Sequence, residues 1–436
     1  MARQPAPARA CAYAVIRRVF ADGAYADRAL HAEAAGLAPR DRALAMRLAY
    51  GAVQRAGTLD HLLGALAERP AGKLDEPLLA ALRLGLYELL YSGGAPDYAV
   101  VADAVELAKG HARAGHGLVN AVLRRGAREG PALLAALADD TPARAAVKHS
   151  HPEWLARLWW SELGPEDARA LMAADNEPLE VALRANTLVT DADALAARLP
   201  VRTRRDPAIP EALVLEGPFD AHASPLWQAG AFHAQSRAAM RVSRVLDPQP
   251  GERVLDLCAA PGGKTTHLAA LMHGDGELLA VELSRARAGA LERTARRLRA
   301  RNVRVQVADA RDWGRGQEGR FERVLVDPPC SGLGTLQARA DLRWRVTPDA
   351  LAALKQVQAR ILAAGARAVC PGGVLVYSTC TISSIENEQL IVAFLNSNPE
   401  FALDGPGHGP GGPEPALTLP HRDRTAGFFI ARLRRL

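Results

Sequence analysis

Cysteine is scarce in this chain, which has 436 residues but only five cysteines, none of them in a CxxC pair. Structural zinc sites are typically built from such pairs, so the sequence argues against a zinc site. An odd number of cysteines in a long chain indicates a reducing compartment. Long apolar runs are also missing. Without a signal peptide or a membrane span, we expect a soluble, cytosolic protein.

The composition argues against a disordered chain, because 49% of the residues are hydrophobic and 23% are charged. The chain is longer than an ordinary domain with a single hydrophobic core, so its length predicts two or three domains. The formal net charge of +6 suits an anionic partner.

The first two parts of the chain differ in the spacing of their apolar residues. Residues 5–129 have apolar residues at three- and four-residue intervals, with Gly and Pro in the turns, which is typical of a helical bundle. A helical linker follows, and the predicted first domain spans residues 1–147. Residues 148–240 begin as a helix and continue with short strands and turns, which predicts a small α+β domain.

Residues 241–436 alternate between strands and helices. The strands are apolar almost throughout, so we expect a parallel sheet with helices on both faces, which is a Rossmann-like α/β fold. The Gly- and Pro-rich stretch 404–416 predicts a loop. The stretch 427–433 predicts a last strand, antiparallel at the end of the sheet.

The stretch "VLDLCAAPGGKTTHLA", which starts at Val254, reads as a strand, a turn of small residues and a helix. It has neither the GxxxxGK[ST] nor the GxGxxG spacing. Small residues let the backbone approach a ligand, and the N–H groups at the start of the helix point towards it. The residues predicted to line a cofactor site here are Cys258, Ala259, Ala260, Pro261, Gly262, Gly263 and Lys264.

Three acidic residues end the next three predicted strands: Glu282, Asp309 and Asp327. Open α/β sheets bind ligands at the carboxyl ends of their strands. Glu282 is placed to bind a ribose diol, and Asp309 to meet an adenine amino group. The alternative is that these carboxylates only cap the helices that follow them.

Two cysteines also follow predicted strands, Cys330 after "RVLVDPP" and Cys380 after "GVLVYST". If these strands are neighbours, about 4.8 Å apart, both thiols open into one cleft. The two prolines of "DPP" are followed by Cys330 rather than by an aromatic residue. This argues against methylation of an amino group and favours chemistry at carbon.

A thiolate that adds to C6 of cytosine makes C5 a nucleophile towards an electrophilic methyl group. Asp327 is placed to protonate N3, provided that its carboxyl group holds a proton, and a second thiol can assist the release of the product. Spacing does not tell which cysteine has which role. The alternative for any single cysteine is a small buried hydrophobic residue, which suits Cys11, Cys258 and Cys370, with Cys258 lining the cofactor turn through its backbone.

These residues resemble the RNA cytosine-C5 methyltransferases of the RsmB/NOL/NOP/Sun family. The matching stretches are "LDLCAAPGGKT", "VDPPCSGLGT" and "YSTCTISSIENE", and the resemblance covers residues 150–436. Residues 5–130 are similar to the NusB-like helical domain, through "LLAALRLGLYELLY" and "GLVNAVLRRG". This fusion indicates the bacterial members of the family that act on 16S ribosomal RNA.

The resemblance implies a class I methyltransferase domain that uses S-adenosylmethionine. It implies cofactor contacts from the turn at residues 258–264 and from Glu282, Asp309 and Asp327. It also implies that Cys380 is the nucleophile and that Cys330 releases the product. The expected partners are 16S ribosomal RNA and small-subunit assembly intermediates. We expect a monomer that needs neither a metal nor a membrane.

Two alternatives remain open. The first keeps the chemistry but changes the substrate to transfer RNA. The NusB-like domain is the only feature of the sequence that argues against it. The second is an RNA-binding assembly or antitermination factor whose methyltransferase domain is inactive. The presence of Cys330, Cys380 and Asp327 together argues against an inactive domain.

Two basic stretches are candidates for RNA contacts. Eight arginines and one acid, Glu292, fall between Arg285 and Arg304, and they either bind phosphates or form the solvated face of a helix. The segment 339–345, "RADLRWR", directly follows the catalytic loop and is the stronger candidate. Trp344 within it either stacks on a base or packs in a core.

Overall fold

Two compact units make up this protein. The first comprises Met1–Glu177 together with Leu336–Val346, and the second comprises Pro178–Thr335 together with Thr347–Leu436. The first unit therefore extends beyond residue 147 and takes up a short segment from the predicted third domain. The residues that the computed structural model describes are 4–112, 114–178, 180–316, 318–404 and 414–436.

The first unit is helical, as the apolar spacing predicts. Proline occupies the first turn of several of its helices, where no backbone N–H is required. Alanine and leucine fill the buried faces, and the core includes Leu48, Leu59 and Leu82. The helices in chain order are α1 (Pro7–Phe20), α2 (Ala26–Glu33), α3 (Pro39–Gln54), α4 (Ala56–Ala67), α5 (Glu76–Tyr87), α6 (Asp97–His111), α7 (His116–Ala135), α8 (Pro142–His149) and α9 (Glu153–Ala174).

The second unit begins with a small antiparallel sheet in the order β2-β3-β1-β4. Its short strands agree with the predicted α+β region. The elements of this part are β1 (Ala182–Ala185), α10 (Ala192–Ala196), β2 (Thr203–Asp206), β3 (Ile209–Leu215), α11 (Pro225–Gln228), β4 (Phe232–Ala234) and α12 (Arg237–Leu246).

A larger sheet with alternating strands and helices comes next, and it confirms the predicted α/β class. The elements are β5 (Arg253–Leu257), α13 (Gly263–Leu271), β6 (Glu277–Glu282), α14 (Arg285–Arg297), β7 (Val303–Val307), β8 (Phe321–Val326), α15 (Pro348–Ala368), β9 (Val369–Thr379), α16 (Glu388–Ser397), β10 (Phe401–Leu403), β11 (Ala416–Thr418), α17 (Pro420–Asp423) and β12 (Phe428–Arg435).

The strand order of this sheet is β10-β12-β9-β8-β5-β6-β7, with β11 paired to β12. Strands β5, β6, β7, β8 and β9 run parallel to one another, and β8 lies directly beside β9. The carboxyl ends of these strands therefore share one edge of the sheet. The adjacency of β8 and β9 is the relationship on which the predicted pair of cysteines depends.

Both faces of the parallel strands are buried, which explains their nearly continuous apolar sequences. Leu255 and Leu257 pack on one face with Ile361 of α15. Val254, which points the opposite way, packs with Leu268 of α13. Burying one such side chain contributes roughly 1.5–3 kcal/mol. The sheet is thus a rigid platform for the loops at its carboxyl edge.

The last strand is antiparallel to β9, as predicted, but it does not end the sheet. Strands β10 and β11 pair with β12 as well. The sequence did not predict them, because a strand of three residues is too short to show a recognisable pattern. Most of the loop predicted for 404–416 lies outside the described residues. Among the helices that are described, none is both long and apolar enough to cross a membrane.

The segment Leu336–Val346 corrects one prediction. Arg343 is fully buried and donates to the carbonyl oxygens of Ser150 and Asp175, each 3.0 Å away. Trp344 packs against the helical core and donates its indole N–H to the Val53 carbonyl oxygen at 2.7 Å. Arg343 is therefore not available for the RNA contact predicted for the segment 339–345, which stays a prediction for the rest of that segment, and Trp344 takes the core role that the sequence left open.

Candidate active site

The turn between β5 and α13 has the backbone that its small residues predict. Cys258 and Gly262 both have a positive φ, 65° and 102°. A Cβ atom on Gly262 would lie 2.4 Å from Cδ1 of Leu291, so glycine is required there. Burial raises the pKa of the Cys258 thiol to about 12. Cys258 therefore remains a neutral thiol, and its contribution to a ligand site is through its backbone.

Glu282 ends β6 and is buried, with 3% of its surface exposed. One carboxylate oxygen accepts the N–H of Ser284 at 2.9 Å, which is the helix-start contact that the sequence left as an alternative. Its other oxygen lies 3.7 Å from the Arg287 guanidinium. Arg287 also donates to the Ala260 carbonyl oxygen at 2.7 Å, so it links Glu282 to the small-residue turn.

Asp309 lies just beyond β7 and is half-buried. Its carboxylate forms an ion pair with Arg311 at 2.5 Å. Hydrogen bonding from Arg311 lowers the pKa of Asp309 below its usual range. A ligand amino group at this position has to compete with Arg311 for the same oxygens.

Asp327 and Lys264 form an ion pair at the edge of the sheet. Nζ of Lys264 donates to Oδ2 of Asp327 at 2.7 Å, and Oγ of Ser378 donates to Oδ1 at 3.0 Å. Burial by itself lowers the pKa of Lys264, but the negative charge of Asp327 outweighs it and raises that pKa. The small-residue turn and the end of β8 are therefore joined by one charged pair.

The structure brings the two predicted cysteines together. Sγ of Cys330 lies 3.3 Å from Sγ of Cys380, and both side chains are partly exposed. The hydrogen bond to Cys380, followed by burial, raises the pKa of the Cys330 thiol well above its usual range. The hydrogen bond to Cys380 and burial therefore both favour the neutral, protonated form of Cys330.

Several polar residues at this edge were not identified from the sequence. Asp256, inside β5, is buried and accepts the Thr265 hydroxyl at 2.7 Å. Burial raises the pKa of Asp256 to about 7. The fully buried Glu386 accepts hydrogen bonds beside Cys330. An acid inside an apolar strand was a signal for Asp256, whereas Glu386 lies in a polar stretch that gives no sign of burial.

Arg184 of β1 also supports the small-residue turn. It is buried and donates to the Gly263 carbonyl oxygen at 2.5 Å and to the Thr266 hydroxyl at 2.9 Å. Burial lowers the pKa of Arg184 to about 9. This side chain fixes the first turn of α13 from the small sheet, a contact that no local pattern reveals.

Two of the eight arginines between residues 285 and 304 have structural roles. Arg287 holds the small-residue turn through the Ala260 carbonyl oxygen, and the guanidinium of Arg297 lies 3.5 Å from the ring centre of Trp227. The six others are exposed: Arg285, Arg293, Arg296, Arg299, Arg301 and Arg304. Their binding to RNA stays a prediction. Among the described residues, no cluster of three or more acidic, histidine or cysteine side chains has the arrangement of a metal site.

Three family models match successive parts of the chain. Residues 6–128 match the NusB family, and residues 151–222 match the ferredoxin-like domain of RsmF/B-like methyltransferases. Residues 243–434 match the model described as 16S rRNA methyltransferase RsmB/F.

Curated relatives match over almost the whole chain. "Probable ribosomal RNA small subunit methyltransferase B" of Synechocystis sp. is 35% identical over 98% of this chain and 99% of its own length. The protein with the same description in Bacillus subtilis is 35% identical over 92% of each chain.

Solved structures are also similar. The crystal structure of PH0851 has a TM-score of 0.81 and 28% identity, with both chains covered completely. The structure of NSun6 from Pyrococcus horikoshii with SFG has a TM-score of 0.58 and 26% identity, and it covers 65% of this chain and 98% of its own.

Proposed function

Because this chain belongs to the 16S rRNA methyltransferase RsmB/F family, we propose that it methylates C5 of a cytosine in 16S ribosomal RNA with S-adenosylmethionine as the methyl donor. The observation that carries the proposal is the pair of sulfur atoms, 3.3 Å apart, beyond the ends of two neighbouring parallel strands. In this proposal Cys380 is the nucleophile and Cys330 assists release.

The residues at the strand ends fit S-adenosylmethionine by their chemistry. Gly262 and its small neighbours allow the close approach of a ligand to the backbone. The buried carboxylate of Glu282 suits the hydroxyl groups of a ribose, and Asp309 suits an amino group. Further support comes from the similar NSun6 structure with SFG, an analogue of S-adenosylmethionine. When bound, the sulfonium supplies an electrophilic methyl group.

The covalent step begins with the thiolate of Cys380. Its sulfur bonds to C6 of cytosine while N3 takes up a proton, which makes C5 electron-rich. C5 would then take up the methyl group, which S-adenosylmethionine would supply from its sulfonium sulfur while held by the turn at residues 258–264 and by Glu282. Release requires loss of the protons on C5 and N3 and departure of Cys380 as a thiolate.

The proton for N3 comes, in this proposal, from the pair formed by Lys264 and Asp327. Nζ of Lys264 donates to Oδ2 of Asp327 at 2.7 Å, so a proton of the ammonium group can reach the ring by way of that oxygen. The pair holds one proton between an ammonium group and a carboxylate, and Asp327 passes it to the ring. This refines the expectation that Asp327 alone is the proton donor.

The role of Cys330 follows from the cause of its raised pKa. The largest contribution is its hydrogen bond to Cys380. Once the sulfur of Cys380 is bonded to C6, it is a neutral thioether and a weak acceptor. The pKa of Cys330 then falls, and its thiolate becomes available to remove the proton from C5. Cys330 is thereby held inactive until the adduct exists.

The experiment compares the wild type, Cys380→Ser and Cys330→Ala. Each is incubated with methyl-labelled S-adenosylmethionine and unmodified small-subunit RNA or transfer RNA. We expect labelled 5-methylcytosine in small-subunit RNA with the wild type and none with Cys380→Ser. Cys330→Ala is expected to accumulate a covalent protein–RNA adduct on a denaturing gel, and Cys370→Ala serves as the control cysteine variant.

Other results of this experiment would contradict the proposal. No methyl transfer by the wild type favours an RNA-binding factor, and label in transfer RNA alone favours the other substrate. Slow turnover by Cys330→Ala with no adduct on the gel removes Cys330 from the release role. Label on a carbon or nitrogen other than C5 contradicts the proposed chemistry.

A further inference from the structure

The residues that directly follow the two cysteines are bonded to each other. Oγ of Ser331 lies 2.7 Å from Oγ1 of Thr381, and both side chains are buried. The N–H of Gly334 donates to the carbonyl oxygen of Cys380 at 3.0 Å. The Cys330 loop (residues 330–335) and the Cys380 loop (residues 380–387) are therefore joined twice.

Glu386 is at the centre of this junction and has no exposed surface. Its Oε1 accepts the Ser331 N–H at 2.9 Å and the Gln358 side-chain amide at 2.8 Å, and its Oε2 accepts the Ser331 hydroxyl at 2.5 Å. The Gln358 amide also donates to the Pro329 carbonyl oxygen at 3.0 Å. Glu386 and Gln358 thus hold the backbone on both sides of Cys330.

The Cys380 loop is fixed by the next residue, Asn387. Its Oδ1 accepts the Thr379 hydroxyl at 2.6 Å, and its Nδ2 donates to the Thr381 carbonyl oxygen at 3.0 Å. Asn387 therefore holds the residues on both sides of Cys380. Because Glu386 and Asn387 are adjacent in the chain, two neighbouring side chains fix the two sulfur-bearing loops.

We propose that Glu386 is a positioning residue, which holds the Cys330 thiol beside Cys380 for the release step; this rests on the proposed function. A buried carboxylate is stable only if its oxygens accept hydrogen bonds, and here three donors supply them. Charge-assisted hydrogen bonds are short and directional, so they define one position of the Cys330 loop. Apolar packing alone would allow the loop to shift.

The contacts of Glu386 are important because the release step is sensitive to the position of the Cys330 thiol. A displacement of about 1 Å at a reacting group can slow a reaction by about 10²-fold. The Cys380 loop has further supports that do not involve Glu386, namely the end of β9 and Asn387, which bonds to the Thr379 hydroxyl and the Thr381 carbonyl oxygen. Loss of the Glu386 contacts is therefore expected to impair the Cys330-dependent release more than the Cys380-dependent addition.

The test is Glu386→Gln, with Glu388→Gln as the matched control in the same segment, where the side chain is exposed. Both carboxylate oxygens of Glu386 accept hydrogen bonds, whereas glutamine replaces one of them with an amide nitrogen, which is a donor. One of the groups that donates to Glu386 therefore loses its acceptor. We expect turnover to fall by about 10²-fold. We also expect the covalent adduct to accumulate, as with Cys330→Ala, while the melting temperature and the binding of S-adenosylmethionine stay near those of the wild type.

A purely structural role gives a different result. Adduct formation and turnover then fall in the same proportion as the amount of folded protein, and this outcome overturns the inference, as does wild-type turnover by Glu386→Gln. If Glu386→Gln does not fold, Ser331→Ala removes only the hydroxyl contact and is expected to accumulate adduct as well. A Ser331→Ala variant that turns over without adduct overturns the inference.

The Cys330→Ala variant separates the two levels of the proposal. Adduct with Cys330→Ala but none with Glu386→Gln rejects the positioning role alone. No adduct with Cys330→Ala and no methyl transfer by the wild type reject the proposed function, and the positioning role with it.

Discussion

The sulfur atoms of Cys330 and Cys380 lie 3.3 Å apart, and no disulfide bond joins them. A disulfide has its sulfur atoms about 2.05 Å apart, so a small movement of either loop is enough to form one. The arrangement that suits two thiols acting on one base therefore also exposes them to oxidation by a mild oxidant.

Oxidation with diamide is expected to join these two cysteines. The two thiols lose two hydrogen atoms to the reagent, and methyl transfer stops because the nucleophile is blocked. Mass spectrometry of the digested protein should find a linked peptide pair that contains Cys330 and Cys380, and dithiothreitol should restore activity. Activity lost without any such linked pair contradicts this expectation, and Cys370→Ala should behave like the wild type.

Replacement of Lys264 by methionine removes the cation that pairs with Asp327 at 2.7 Å. We expect kcat to fall by roughly 10²-fold, the usual contribution of a group that supplies a proton. Single-turnover methyl transfer measures this loss directly. Lys355→Met, a lysine on α15, is the control and should retain activity. Equal activity of the two variants would remove the ion pair from the mechanism.

Asp256 makes the stability of the second unit depend on pH. Its pKa is raised from 3.8 to about 7 by burial, so the folded state favours the protonated form. The associated stability is fully present below pH 3.8 and is lost as the pH rises through about 7, a difference on the order of a few kcal/mol.

Asp256→Asn should abolish this dependence, because asparagine is neutral and still accepts the Thr265 hydroxyl. We expect its urea midpoint to exceed that of the wild type by more at pH 8 than at pH 5, as measured by circular dichroism, because the wild type loses the contribution of Asp256 progressively between pH 3.8 and about 7. Asp275→Asn changes an exposed carboxylate and is the control. A midpoint difference that is the same at both pH values contradicts the assignment.

Arg343→Ala is expected to destabilise the helical unit. The change leaves the Ser150 and Asp175 carbonyl oxygens without their buried donor and opens a cavity, at a cost of roughly 3–5 kcal/mol. Thermal unfolding followed by circular dichroism measures the loss. Arg339→Ala removes an exposed arginine of the same segment and should change stability by no more than about 0.5 kcal/mol. Equal melting temperatures would show that the buried contacts of Arg343 add no stability.

The sequence by itself determined the parallel strands and the residues at their carboxyl ends. Buried strands such as β5 and β8 are short apolar runs between turn residues, and this signal is local. Because parallel strands end at one edge, it also predicted that Cys330 and Cys380 meet there. The small-residue turn was also predicted from the sequence, since the positive φ of Gly262, 102°, is a local backbone requirement that favours glycine.

Only the tertiary structure decided which polar residues are buried. Arg343 lies in a basic stretch that is typical of a surface, yet carbonyl groups from distant residues surround it. Glu386 accepts a hydrogen bond from Ser331, 55 residues earlier in the chain, and no periodic pattern in the sequence predicts such a partner. Apolar burial follows from each residue's own chemistry, whereas a buried charge is tolerated only where the fold supplies its partners.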